Sequence, residues 1–270
     1  IGVGLATAVA NVLSALAFLV AIGSTRTEAG FARPGDRTIA RQLVAVSAPK
    51  VAEGMVGTLA QFPFNAILLG FGTAVNAAYQ VGQRAYQQVT APLARGYNVA
   101  ANVVVGQALG QGDPGRARYE GWATTLLGIV SVGAIGLALL VWAPAFVSVF
   151  TDDPATVDSA VAFARVYGLS APALVAFVVL SGALQGASET RVPFFARVSA
   201  NFGVLLGGTY LLGVVLGFGV LGAYVAVALN YVWLALVVAA GFHYAGWADR
   251  AAGMMAERGT LADPEEGDAD

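Results

Sequence analysis

The 270-residue chain lacks cysteine, and histidine and lysine occur once each, as His243 and Lys50. The absence of cysteine excludes disulfides, thiolate metal sites and thiol redox centres. One histidine cannot form a His-cluster metal site, and we expect neither a metal nor an organic cofactor. Charged residues make up only 11% of the chain, against roughly a quarter in soluble globular domains. This shortage, beside 57% hydrophobic residues and a mean hydropathy of +0.71, predicts helices that cross a lipid bilayer.

Apolar segments long enough to cross a membrane occur seven times along the chain. They comprise residues 1–23, 43–70, 74–109, 122–150, 158–187, 194–216 and 220–243. The charge-free run 198–242 is too long for one helix, and its sequence Gly217-Phe218-Gly219 predicts a tight hairpin between two helices. The sequence therefore predicts an all-α polytopic membrane bundle of about seven transmembrane helices.

Basic residues alternate between successive loops. The loops around 71–73, 151–157 and 217–219 contain no lysine or arginine. The opposite loops and the C-terminal flank hold ten arginines, namely Arg26, Arg33, Arg37, Arg41, Arg116, Arg118, Arg191, Arg197, Arg250 and Arg258. Arginine-rich loops face the cytoplasm. We therefore predict a multi-pass protein of the plasma membrane whose C-terminus is cytoplasmic.

Three regions follow from these segments. Residues 1–38 are expected to hold one helix and a polar linker, residues 39–248 a six-helix bundle, and residues 249–270 an acidic, disordered cytoplasmic tail. The chain begins at Ile1, inside an apolar stretch that no basic segment precedes. A signal peptide needs such a segment, so we interpret 1–23 as a true span and expect the chain to be a fragment of a longer protein.

Polar residues recur at helical spacing inside two predicted spans. At about 100° per residue, each set falls on one face of its helix. Hydrocarbon cannot satisfy these groups, so each face must contact protein or a water-filled cavity. We therefore predict that a solute cavity is lined by Gln61, Asn65, Asn76, Gln80, Gln83, Arg84 and Gln87.

Glu53 is the one carboxylate placed well inside a predicted span. A desolvated carboxylate can exchange a proton or a sodium ion, so Glu53 is a candidate ion-coupling site. The alternative is a structural ion pair with Lys50 or, across helices, with Arg84. Prolines inside spans remove a helix hydrogen bond. They are candidate hinges for alternating access or, equally, static kinks: Pro63, Pro92 and Pro172.

The stretch 77–117 resembles the long signature of the multidrug and toxic compound extrusion (MATE) family, with its central proline and its ending VGQALGQGD. Residues 185–193 are similar to an inter-helix turn of that family, and Pro49 with Glu53 looks like the opening of its seventh helix. The resemblance covers nearly the whole chain as helices six to twelve of a twelve-helix protein. It implies two six-helix lobes around a cavity, with the N-terminal lobe missing here as a partner. It also implies export of amphipathic, often cationic compounds driven by inward sodium or proton gradients.

Two positions depart from the family pattern. Some relatives carry their coupling glutamate about two turns after the proline, where this chain has Gly57. They also carry an aspartate in the tenth helix, whereas the only aspartate of the predicted span 158–187 is its first residue, Asp158. The candidacy of Glu53 therefore rests on its position in this sequence and not on the resemblance.

Other function classes remain open at this level. A flippase for lipid-linked sugars would need a more cationic cavity, for which Arg84, Arg95 and Arg165 are available. An intramembrane enzyme would need paired carboxylates or a nucleophile with its base inside the spans, and we find none. A scaffold role leaves the two polar faces without a purpose. We expect a non-enzymatic transporter whose partners are the lipid bilayer and small amphipathic molecules, and no nucleic acid.

Overall fold

The computed structural model describes residues 2–23, 37–151, 153–251 and 253. Across these ranges every regular element is helical, which confirms the predicted all-α polytopic class. The helices are α1 (Gly2–Ile22), α2 (Arg37–Phe71), α3 (Thr73–Val89), α4 (Ala91–Gly110), α5 (Pro114–Val147), α6 (Pro154–Gly186), α7 (Arg191–Val198) and α8 (Val220–Tyr244). Helix α7 continues as π-helix through Ser199–Gly207 and Thr209–Val215.

Five of the described helical segments are long and apolar enough to cross a membrane. They are Ala40–Phe71, Pro114–Val147, Thr156–Gly186, Arg191–Val215 and Val220–Tyr244. A shorter apolar helix covers Ala8–Ile22. The predicted hairpin is present, since helix gives way to a turn at Leu216–Gly219 in which Gly217 and Gly219 have φ of 73° and 57°. Only glycine adopts that backbone region without strain.

The third predicted span, 74–109, is two helices and not one. Helices α3 and α4 meet at Thr90, whose N–H donates to the Tyr86 carbonyl and whose own carbonyl accepts from the Ala94 N–H, each at 3.0 Å. Pro92 lies in the first turn of α4, where its lack of an N–H is tolerated. Hydropathy predicts the length of an apolar segment and does not register this junction.

Helix α2 begins at Arg37, before both the predicted span 43–70 and Pro49. Pro49 and Pro63 therefore both lie in its interior. Inside a bilayer the backbone must satisfy its own polar groups, which favours continuing a helix through proline over breaking it. Pro172 likewise lies inside α6.

Helix α6 is the centre of the bundle and packs against α3, α4, α5 and α8. Glycine allows α6 to approach α4 closely, because a Cβ added at Gly182 would lie 2.3 Å from the Asn98 carbonyl oxygen. The Asn98 side chain donates across the same contact to the Val178 carbonyl at 2.6 Å. By contrast, α2 reaches the bundle through long side chains, such as Phe64 against Tyr79.

The chain forms two compact units, Ile1–Ala45 and Val46–Asp270. The candidate site lies within the second. The predicted linker after α1 and the acidic tail fall mostly on residues 24–36 and 254–270, which are outside the described part of the chain. The three-region division therefore stays a prediction.

Candidate solute cavity

A cavity of about 720 Å³ lies between α2, α3, α4, α6, the π-helical continuation of α7, and α8. Its size is within the range of pockets that hold drug-sized molecules. Much of its lining is polar, an arrangement that a membrane bundle tolerates only away from lipid. The polar lining side chains are Lys50, Glu53, Thr58, Gln61, Gln83, Gln87, Gln88, Arg95, Arg197, Asn201 and Asn230, with Tyr79, Tyr86 and Tyr231.

The predicted cavity residues divide into two groups. Gln61, Gln83 and Gln87 line the cavity together with Glu53. Four other residues are not among its lining residues, namely Asn65, Asn76, Gln80 and Arg84. The polar faces of α2 and α3 do meet, because the Gln80 amide donates to Asn65 Oδ1 at 3.4 Å. Roles in solute binding stay a prediction for both groups.

Glu53 is 5% exposed and accepts from two basic side chains. Lys50 Nζ lies 3.0 Å from Glu53 Oε2, which is the intrahelical pair expected under the structural alternative. The partner across helices is Arg197, whose Nη2 lies 3.4 Å from Glu53 Oε1. Arg84 is exposed and takes no part in this network.

Arg197 is the principal residue that sequence reasoning misplaced. It was counted among the loop arginines, yet it lies in α7 and lines the cavity. Its guanidinium stacks over Phe177, with the central carbon 4.6 Å from the ring centroid. A signal was present, because Arg197 falls inside the predicted span 194–216, where an arginine needs a partner or water.

Two buried asparagines also line the cavity and were not predicted. Asn201 and Asn230 are 7% and 5% exposed, and Asn230 Oδ1 has no hydrogen-bond partner among the described residues. A buried acceptor without a partner costs about 1–3 kcal/mol, so a hydrogen-bond donor at Asn230 Oδ1 would be stabilising. The signal was an isolated amide in an otherwise apolar helix.

Tyrosines form an aromatic wall on one side of the cavity. Tyr167 lies behind it, and its ring centroid is 5.5 Å from Tyr86, 6.0 Å from Tyr231 and 6.3 Å from Tyr79. The Gln83 amide donates to the Tyr79 hydroxyl at 3.3 Å. The wall therefore combines flat apolar faces with hydroxyls that can hydrogen-bond. Sequence reasoning missed it because tyrosine, with both a ring and a hydroxyl, does not by itself mark a polar face of a helix.

The charged lining residues are unequal in sign. Lys50, Arg95 and Arg197 stand against the single carboxylate of Glu53. Arg165 is exposed and does not line the cavity. Among the described residues there is no cluster of three or more His, Asp or Glu side chains that could hold a metal ion.

Known proteins resemble the chain in sequence and in fold. The "Multidrug resistance protein NorM" of Burkholderia vietnamiensis is 32% identical over 178 residues, covering 64% of this chain and 38% of that protein. The "Probable multidrug resistance protein NorM" of Neisseria meningitidis serogroup B is 29% identical over 245 residues, covering 87% of this chain and 53% of that protein. The chain thus spans about half or less of the length of these relatives.

Among solved structures, the "MATE transporter ClbM in complex with Rb+" matches with a TM-score of 0.73 at 21% identity, covering 80% of this chain and 51% of that chain. At this identity the likeness shows the fold alone. The model of the MatE family matches residues 49–211, which include five of the helices around the cavity. On that match the chain belongs to the MatE family, the multidrug and toxic compound extrusion family that its signature residues resemble.

Proposed function

We propose that this chain is the C-terminal lobe of a secondary transporter that exports amphipathic molecules from the cytoplasm by alternating access. The observation that carries the proposal is the cavity itself, with amides and tyrosine hydroxyls inside an apolar bundle. Such a lining can hydrogen-bond varied polar ends while the rings contact apolar bodies. Membership in the MatE family and the names of the NorM relatives support transport of drugs in preference to catalysis.

A second lobe of six helices would complete the pathway. Support comes from the share of the relatives that the chain covers, which leaves room for such a lobe. Many transporters are built from two related repeats that rock around a central site. Pro63, Pro92 and Pro172 are the proposed bending points of this lobe.

Glu53 is the proposed site for the coupling proton or sodium ion. Its carboxylate accepts from Lys50 and Arg197. An ion that neutralises the carboxylate would compete with these side chains, so binding of the ion and retention of the pairs exclude each other. The structure of a relative in complex with Rb+ supports monovalent cation binding on this fold.

The proposed orientation places the C-terminus in the cytoplasm. Arg250 Nη2 lies 2.6 Å from Glu189 Oε2, and Arg118 Nη2 lies 3.9 Å from Asp249 Oδ2. Three arginine-bearing segments therefore meet at one end of the bundle, as the positive-inside rule requires.

Export is tested in cells that express the complete reading frame containing this chain. Accumulation of amphipathic dyes is measured for one cationic, one zwitterionic and one anionic dye. We expect at least one dye to accumulate less than in cells without the protein, and the difference to disappear when the ion gradients are dissipated. Unchanged accumulation of all three, with the protein verified in the membrane, would contradict the proposal.

A flippase for lipid-linked sugars is the second candidate. The excess of basic lining residues favours it, because a pyrophosphate carries several negative charges. Of the three arginines first considered for this role, only Arg95 lines the cavity. Translocation of a fluorescent lipid-linked sugar in liposomes, without dye export in cells, would favour this alternative.

A further inference from the structure

The basic residues of the cavity exceed what its one carboxylate can neutralise. Glu53 is bonded to Lys50 and Arg197, and Arg95 lines the same space with no ion-pair partner in the described part of the chain. In a cleft with low-dielectric walls, a ligand strongly feels unbalanced charge of one sign. A solute whose polar end is cationic would meet net repulsion here.

We infer that the cavity binds the anionic group of an amphipathic solute, a carboxylate or a comparable oxyanion, between Arg197 and Arg95. The inference rests on the proposed solute pathway and narrows it to anionic or zwitterionic compounds. It replaces the expectation that the polar end is simply cationic.

Arg197 has donors to spare for such a group. A guanidinium carries five N–H donors in a planar fork suited to oxyanions. The described contacts of Arg197 use Nη2, at 3.4 Å from Glu53, and one face over the Phe177 ring. Contact with that ring and with Glu53 fixes the plane of the guanidinium, while the side chain keeps 30% of its surface exposed. The remaining N–H groups of Arg197 are therefore held in place and can still donate to a ligand.

Arg95 and the asparagine amides can complete the site. Arg95 is exposed in α4, just after the break at Thr90, and faces the same cavity as Asn201 and Asn230. Asn230 Oδ1 is buried and unpartnered among the described residues, and the same carboxamide carries an NH₂ group that can donate. Two guanidinium groups and two amides therefore line one cavity as donors for an oxyanion.

The tyrosine wall supplies a place for the rest of the solute. Tyr86 and Tyr231 line the cavity and are backed by Tyr167. Aromatic faces favour a flat apolar ligand by stacking, in addition to the area that is buried. An aromatic solute with an acidic group could therefore contact the tyrosines with its ring and the arginines with its acid.

Binding to the complete protein in phosphatidylcholine nanodiscs tests the inference. Three probes share one pyrene ring: pyrenebutyrate is anionic, pyrenebutanol is neutral, and pyrenebutyltrimethylammonium is cationic. Empty nanodiscs correct for partitioning into lipid. We expect pyrenebutyrate to bind roughly tenfold or more tightly than the neutral probe, since hydrogen bonds to charged groups are worth about 1.5–3 kcal/mol.

Substitution locates the site. Arg95→Gln and Arg197→Gln should each weaken pyrenebutyrate binding roughly tenfold and leave pyrenebutanol binding unchanged. Arg95→Gln keeps the Glu53–Arg197 pair, so it remains informative if Arg197→Gln fails to fold. Arg165→Gln is the matched control, because it removes an exposed membrane-helix arginine outside the cavity. Tightest binding of the cationic probe, or unchanged pyrenebutyrate affinity in Arg95→Gln, would overturn the inference.

A competition arm identifies the source of the anionic group. Displacement of pyrenebutyrate by farnesyl pyrophosphate but not by 2-naphthoate assigns the site to a lipid-linked headgroup, and the reverse assigns it to a soluble aromatic acid. The results of the binding and export experiments distinguish an error in the anion-site inference from an error in the export proposal. Dye export together with a preference for the cationic probe removes the anion site alone. A preference for pyrenebutyrate that is lost in Arg95→Gln, without export of any dye, removes transport alone.

Discussion

Glu53, the proposed ion-coupling residue, lies at the cavity between two basic partners. Its carboxylate is nearly inaccessible, and its two described partners, Lys50 and Arg197, approach from the same helix and from α7. An ionised group in such surroundings needs compensation, since an unpaired buried charge is costly. Loss of the negative charge would therefore remove the ionic partner of Arg197 and change the charge of the cavity.

Glu53→Gln should abolish the dependence of export on the ion gradient while the protein still reaches the membrane. Glutamine keeps the size of the side chain and one acceptor oxygen, but it cannot exchange a proton or balance a cation. Dye efflux from cells, with and without the gradient, is the measurement.

Glu120→Gln is the control for this substitution. Glu120 also pairs with an arginine, Arg116 at 2.7 Å, but the pair lies outside the cavity. Exposed pairs of this kind contribute about 0–1 kcal/mol. Gradient-driven efflux at the full rate in Glu53→Gln would leave that residue with a structural role only.

At the scale of helices, the contact between α4 and α6 holds one wall of the cavity in place. Gly182 and Gly186 face the carbonyl oxygens of Asn98 and Asn102, and a Cβ at either glycine would come within 2.3 Å of them. Backbone atoms cannot give way as a flexible side chain does. The two helices can only move apart.

Gly182→Ala should lower the stability of the protein by about 1–3 kcal/mol, the usual cost of overpacking a core. Alanine improves intrinsic helix propensity by about 1 kcal/mol, which is too little to offset the clash. Thermal unfolding in detergent measures the difference.

Gly96→Ala provides the comparison within α4. A Cβ at Gly96 meets no atom within 4 Å, so this variant should be as stable as the parent or slightly more so. If Gly182→Ala and Gly96→Ala unfold at the same temperature, α4 and α6 do not pack as closely as described.

The sequence predicts the positions of the helices better than the junctions and π-helical turns within them. Hydropathy and the glycines at 217 and 219 were enough to predict α8 and the preceding hairpin, because lipid enforces long apolar helices. The junction at Thr90 and the π-helical turns of 199–215 depend on which carbonyls find donors. Spacing along the chain does not encode that choice.

The cavity was predictable only in part. Polar periodicity identified the faces of α2 and α3, since glutamines at helical spacing must avoid lipid. The sequence around Arg197 and Asn230 indicates that each side chain needs a polar partner. It does not indicate that either faces the cavity, because that is set by how α7 and α8 pack on α6. Which tyrosines line the cavity is likewise set by how the helices pack.

Across the whole molecule, a solute pathway requires that water reach the cavity between α2 and the other helices that line it. Lipid-facing positions on other helices should stay dry. Gln61 and Gln83 line that space, whereas Val130 of α5 is 63% exposed on an apolar surface. This chain contains no cysteine, so in the complete protein only cysteines outside it need replacement before these surfaces are compared.

Water access to the polar faces of α2 and α3 is measured with single cysteines at Gln61, Gln83 and Val130 of the complete protein in membranes. Each variant is treated with a charged, membrane-impermeant thiol reagent. Gln61→Cys and Gln83→Cys should be labelled, and a bound amphipathic solute should slow the labelling, while Val130→Cys should remain unlabelled. Labelling of Val130→Cys with no reaction at the other two positions would show that the polar faces are closed to water, and the cavity would not be a solute pathway.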